Sequence, residues 1–185
     1  MEAIAYIPSE NIEGEEYEVS PTNYFHYRAC DNLASFIKNH LDPAQYGIVQ
    51  DVSIMPGEDN TDIFPDIAVF KLPWNITAEG TIKSVPCFVA EVLSPSTHKY
   101  DRTKKKDYYE KIGVQDYWLV DPNNKSVTAY RLNETNRTYD LVDICQKFSP
   151  ADWNRMSDKQ QKMQTQRLQL DFMDVSISIN HIFSE

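Results

Sequence analysis

A chain of 185 residues is long enough for one domain with a sizeable core, and a formal net charge of −10 excludes a simple basic coat for nucleic acid. The acidity is uneven, because residues 1–20 hold six glutamates and no lysine or arginine. Three scattered cysteines, Cys30, Cys87 and Cys145, argue against a zinc knuckle or disulfide framework and fit a reduced cytoplasm, while the lack of a leader pattern or of an apolar run near ~18 residues argues against a membrane partner.

Residues 1–20 read as an acidic lead-in with a short strand around Tyr17. The simpler expectation is that this segment lies on the far side of the molecule and only adds solubility. The alternative is that it folds over the basic run at Lys99–Lys111 and restrains contact with a polyanion. Ser20-Pro21-Thr22-Asn23 then supplies helix-start chemistry, and Cys30, Leu33, Ile37 and Leu41 recur at the helical period until Asp42-Pro43. His26 lies four residues before Cys30, on the same face. It is either a satisfied core or capping histidine or a polar group at the edge of a functional site.

A strand is expected over Tyr46–Met55, with a turn at Pro56-Gly57. The next stretch organises the chain: I-F-P-D-I-A-V-F from Ile63 to Phe70, a polar loop from Leu72 to Ser84, and V-P-C-F-V-A-E-V-L-S up to Ser94. Both apolar runs read as buried strands, and each contains one carboxylate, Asp66 in the first and Glu91 in the second. A carboxylate in a buried strand is costly unless a cation pairs with it, and two on neighbouring strands repel each other. A divalent metal between them removes both problems; salt bridges to Lys105 and Arg102 are the structural alternative. Ser94, Ser96 and Thr97 follow directly, as turn residues or as donors to phosphate or ligand waters.

The helix expected over Tyr100–Ile112 contains Arg102, Lys104, Lys105 and Lys106. Lys105 shares one face with Tyr108, Tyr109 and Ile112, and Asp101 lies four residues before it on that face. Lys104 and Lys106 point about 100° to either side. One lysine therefore leans inward while the others stay in water, and Gly113 ends the helix. The basic side chains Lys99, Arg102, Lys104 and Lys106 are the candidate DNA contacts. A buried strand follows at Asp116–Pro122, then hairpin strands at Lys125–Leu132 and Arg137–Ile144. Ser149-Pro150-Ala151-Asp152 starts a helix. Residues 153–167 carry no firm pattern, and a strand at Leu168–Leu170 and a helix at Asp174–Phe183 close the chain.

The ordered set P-D-I-A-V-F, E-V-L-S-P-S-T, D-R-T-K-K and G-V-Q-D-Y-W-L-V-D-P resembles the Uma-type endonuclease family, a branch of the restriction-endonuclease-like PD-(D/E)XK superfamily. The resemblance runs from the His26 helix to the closing helix. It implies one α/β (α+β) nuclease-like domain over residues 1–185, with a mixed β-sheet flanked by helices. It also implies Mg²⁺ or Mn²⁺ held by Asp66, Glu91 and the main-chain carbonyl of Val92, and hydrolysis of phosphodiester bonds in DNA. The superfamily's usual lysine lies two residues after the strand acid, where this chain has Leu93. Lys105 is the matching replacement from the following helix, which the helical-face reading selects independently. His26, Asp101, Ser94 and Ser96 are supporting residues. A homodimer is compatible with a double-strand cut. The competing expectation is a nuclease-fold module that binds nucleic acid or a protein partner without cutting.

Overall fold

The computed structural model of the chain describes residues 9–18, 23–57, 61–94 and 98–184. Ser20, Pro21, Thr22, Pro95, Ser96 and Thr97, expected to start one helix and stop one strand, lie outside the described residues, as does the beginning of the acidic lead-in.

The first long helix, α1 (Tyr24–His40), starts where expected because the Asn23 side chain accepts a hydrogen bond from the His26 backbone N–H at 3.0 Å. Its buried stripe includes His26, Cys30, Leu33 and Ile37. Six strands form one mixed sheet: β3 (Tyr46–Val49), β4 (Ile67–Lys71), β5 (Phe88–Val92), β6 (Asp116–Asp121), β7 (Ser126–Leu132) and β8 (Tyr139–Gln146), in that spatial order. Every neighbouring pair is antiparallel except β5 and β6. A parallel pair needs a crossover, which the basic helical stretch supplies: α2 (His98–Tyr100), a π turn over Asp101–Lys105, and α3 (Lys106–Ile112). Gly113, at φ +90°, closes it.

Alternation along the strands divides the core into two layers. Ile67, Val69, Phe88, Ala90, Val92, Trp118 and Val120 face α1 and the C-terminal segment. Ala68, Phe70, Val89, Leu93, Tyr117 and Leu119 face Tyr108 and Tyr109 of α3. The same alternation aims Glu91 at the α3 layer.

Four expectations need correction. The β3 strand stops at Val49 rather than Met55, because the chain turns at Asp51 (φ +49°); Ile54 then bridges separately to Ile63 and Ile82. Asp66 immediately precedes β4 rather than lying inside it. Residues 174–183 are not one helix: β10 (Val175–Ser178) pairs with β9 (Arg167–Leu170), and only α6 (Ile179–Ile182) is helical. The alternation of Val175, Ile177 and Ile179 is a strand period, and Leu168, Leu170 and Ile177 bury together against the α1 layer. Residues 153–167, which had no firm pattern, contain the end of α4 (Pro150–Arg155), capped by Ser149, and α5 (Asp158–Lys162), capped by a Ser157–Gln160 box.

The fourth correction concerns the acidic lead-in. It forms a hairpin, β1 (Ser9–Ile12) and β2 (Glu15–Glu18), across a Glu13-Gly14 turn whose two residues both have positive φ. The hairpin does not lie on the far side. Glu15 sits 3.5 Å from Lys104, Glu13 pairs with Lys111, and the Tyr17 and Tyr100 rings meet at 4.0 Å. The hairpin over residues 9–18 is folded onto the basic helix.

Candidate active site

Ile67 pairs with Ala90 in the β4–β5 ladder, so one step outwards Asp66 stands across from Glu91. The two acids then diverge. Asp66, half-buried at the strand end, accepts a hydrogen bond from the Val92 backbone N–H at 2.6 Å through Oδ2. Its Oδ1 lies 3.3 Å from Nε2 of His26, which reaches across from α1. A carboxylate expected to hold a metal therefore already meets an imidazole.

Burial works against a charged His26 ring, but the Asp66 hydrogen bond and charge, with Asp51 and the Val92 carbonyl, outweigh it and raise the pKa above 6.5. A raised value means the pair's stabilisation is complete below the unfolded pKa and is lost as pH rises through the folded one. In chelator-treated protein, the melting-temperature advantage of wild type over His26→Gln is expected to be full at acid pH and to shrink as pH rises past the ordinary histidine range. An advantage independent of pH would show that the ring binds neutral.

Glu91 is buried on the α3 side. Its Oε1 accepts from the Tyr109 hydroxyl at 2.7 Å and lies 3.2 Å from Nζ of Lys105. Lys105 is only 4% exposed. Its ammonium also meets Glu10 at 2.9 Å and Asp101 at 4.0 Å. Asp101 is held in turn, since its carbonyl accepts from the Tyr117 hydroxyl at 2.8 Å. Burial opposes the charge on Lys105, but Glu91, Glu10, Asp101 and Asp66 together hold its pKa well above the ordinary lysine value. Burial also pushes Glu91 well up, against the pull of Lys105 and with the other three acids adding to the rise. Four carboxylates acting on one ammonium leave an excess of negative charge, the condition under which a further cation is favoured.

Leu93 occupies the face of β5 that Glu91 shares and is packed into the α3 layer. Ser94 is half-buried just beyond the strand, and Ser96 lies outside the described residues.

The basic side chains divide differently from the expectation. Lys99 and Lys104 are exposed; Arg102 is exposed but lies 3.6 Å from Asp121. Lys106 does not stay in water: it is half-buried, 5.1 Å over the Tyr130 ring and 5.5 Å over Tyr139. Rings from β7 and β8 stand beside that face of α3 and take the charge by cation–π contact.

Sequence reasoning missed Glu10. It is 3% exposed, and its Oε1 accepts from the Phe64 backbone N–H at 2.7 Å as well as meeting Lys105. The available signal was the hairpin turn at Glu13-Gly14, which puts Glu10 and Ile12 on one strand face; both are buried.

Fold and site together define a restriction-endonuclease-like α+β protein: a six-stranded mixed sheet flanked by helices, with acids gathered at the ends of two central strands. The chain belongs to the Uma2 family, described as "Putative restriction endonuclease", whose profile matches residues 6–162. Two uncharacterized proteins of Synechocystis are similar in sequence. One, slr1290, is 31% identical over 68% of this chain and 66% of its own length. The other, sll1609, is 29% identical over 61% of this chain and 66% of its own length. The chain thus spans just under two thirds of these curated relatives. A crystal structure from Anabaena variabilis, described as "a putative nuclease belonging to DUF820", shares the fold with a TM-score of 0.69 at 21% identity, over 95% of this chain and 89% of that one. Among the described residues no helix is long and apolar enough to cross a membrane.

Proposed function

We propose that the chain is a metal-dependent nuclease that hydrolyses phosphodiester bonds in DNA, with Asp66, Glu91 and the Val92 carbonyl as the ligands of Mg²⁺ or Mn²⁺. The observation that carries this reading is the gathering of carboxylates at the β4–β5 end: Asp66 and Glu91 stand across from each other at the ladder's end before their side chains diverge, and Glu10 and Asp101 join Glu91 around the single Lys105 ammonium. The donor set fits a hard divalent ion, which takes carboxylate and carbonyl oxygens and retains waters. When bound, such an ion supplies Lewis acidity toward the phosphodiester.

The chain's own groups do the rest. The Val92 N–H and the His26 ring fix the two oxygens of Asp66. Tyr109 and Lys105 fix Glu91. Lys105 is the candidate to neutralise charge developing on the phosphate, and Asp101 holds it from the preceding turn. Lys99, Arg102 and Lys104 present exposed charge for phosphate contacts. Family membership supports the same reading, and so do the printed descriptions of the family and of the Anabaena structure.

Isothermal calorimetry with Mn²⁺ is expected to show binding that Asp66→Ala and Glu91→Ala each abolish, alongside cleavage of supercoiled or single-stranded DNA by the wild type. Unchanged affinity in both variants would sink the ligand assignment. One observation favours a second reading, a module that binds nucleic acid or a protein partner without cutting: the Lys105 ammonium is enclosed by Glu10 and Glu91 instead of facing solvent. Metal binding with no cleavage of either DNA form would select it.

A further inference from the structure

His26, Cys30 and Asp66 form the one set of three or more histidine, cysteine and acidic side chains, among the described residues, whose ligand atoms all lie within 4.8 Å of one another. Glu91 is outside it. Cys30 lies one helical turn after His26, and its Sγ is 3.6 Å from Nδ1 of the ring. Asp66 Oδ1 is 3.3 Å from Nε2 on the other edge. Tetrahedral coordination at bond lengths of about 2.0–2.3 Å sets ligand atoms roughly 3.3–3.7 Å apart. A histidine ligates through one ring nitrogen, so one of these two separations belongs to the set and already falls in that range; the other ligand atoms lie within 4.8 Å, and side-chain torsions supply the remaining shift of about an ångström. Cys30 and His26 are buried and Asp66 is half-buried, so the cluster opens to solvent at the aspartate.

We propose that His26, Cys30 and Asp66 make a second, softer cation site that takes a late first-row divalent ion such as Zn²⁺ or Co²⁺ and rejects Mg²⁺. Imidazole and thiolate suit zinc and cobalt, whereas magnesium demands oxygen ligands. The thiol ligates as thiolate and gives its proton to the buffer. Burial, with the Asp66, Asp51 and Glu91 carboxylates adding to it, otherwise pushes the Cys30 thiol far up and keeps it S–H. The Asp66 carboxylate, foremost among the charges opposing a bare thiolate, favours a cation beside it. Asp66 belongs both to this site and to the proposed hard-metal centre. A soft ion therefore withdraws Asp66 from that centre and competes with Mg²⁺, a consequence that rests on the nuclease reading; the soft site itself does not.

The test titrates the full-length, metal-free chain with Co²⁺ and with Zn²⁺. Co²⁺ is expected to give a thiolate-to-metal charge-transfer band that Cys30→Ser removes. Zn²⁺ affinity is expected to fall at least tenfold in Cys30→Ser and in His26→Gln. Glu91→Gln is the control: it weakens Mn²⁺ binding if the nuclease centre is right, yet leaves Zn²⁺ affinity within about twofold. Should Cys30→Ser not fold, zinc-edge X-ray absorption on the wild type loaded with one equivalent decides the matter, because a sulfur scatterer at about 2.3 Å is required. A shell of oxygen and nitrogen only, or Zn²⁺ binding indifferent to Cys30 and His26, overturns the proposal, whatever the outcome with Mn²⁺.

Discussion

Replacing Lys105 by methionine is expected to lower the unfolding free energy by about 3–5 kcal/mol, the usual consequence of removing one partner from a buried charge cluster. Methionine keeps most of the volume, so the effect isolates the charge. Its loss leaves Glu10, Glu91 and Asp101 facing one another without the ammonium that now stands 2.9, 3.2 and 4.0 Å from them. The neighbours provide the scale. Lys104→Ala removes only an exposed, solvent-screened pair with Glu15 and should leave the midpoint nearly unchanged. Lys106→Met removes cation–π contact with two tyrosines, worth about 0.5–2 kcal/mol. Urea unfolding of the three variants should therefore rank them Lys105, Lys106, Lys104. Equal midpoints would mean that Lys105 is not the inward lysine and that the acids around it are neutral. Loss of cleavage in Lys105→Met is interpretable only at urea-free temperatures where the variant remains folded. Lys105→Arg, which retains the charge, separates the two roles. If the ammonium and the proposed Mn²⁺ neutralise the same acids, Mn²⁺ raises the melting temperature of Lys105→Met more than that of wild type.

Much of this site was legible in the sequence because its parts obey local periods. The 3.6-residue period placed His26 above Cys30 and Lys105 beside Tyr109, and the apolar run around Glu91 marked β5 as a buried strand. The π turn at Asp101–Lys105 widens the helix locally, yet Asp101 remains close enough to meet Lys105. What escaped was set by contacts between distant parts of the chain. Glu10 reaches Phe64 and Lys105, fifty-odd and ninety-odd residues away, and nothing around S-E-N-I announces those partners. Lys106 was assigned to water because its own helix says nothing about Tyr130 and Tyr139. The Val175–Ser178 strand was misread for a different reason: it spans only 4 residues, and a short apolar alternation beside a helix cap fits either period.

The acidic hairpin carries the second large expectation, and the structure changes how it must be tested. Deleting residues 2–16 would remove more than surface charge. It would expose the pocket of Ile12, worth about 1.5–3 kcal/mol, and orphan the Phe64 N–H, worth about 1–3 kcal/mol. It would also strip one partner from Lys105. The deletion is therefore expected to lower the melting temperature sharply, and any change in its DNA affinity would be confounded with loss of fold. The double substitution Glu13→Gln, Glu15→Gln is the cleaner probe. Both side chains are exposed, both sit against lysines of the basic helix, and neither holds the hairpin in the core. Neutralising them leaves Glu10 and Ile12 seated while removing one carboxylate from beside each of Lys104 and Lys111. With those two carboxylates neutral, DNA affinity is expected to tighten at low salt. The gain should fade toward 0.15 M salt, where the Debye length falls to about 8 Å, and the salt slope should steepen as more phosphate contacts form. Tightening at about 0.05 M salt with an unchanged melting temperature identifies the hairpin as a charge shield over the basic helix. Unchanged affinity at that salt, with the fold intact, would show that the hairpin acts only through Glu10 and Ile12, as a clamp on Lys105.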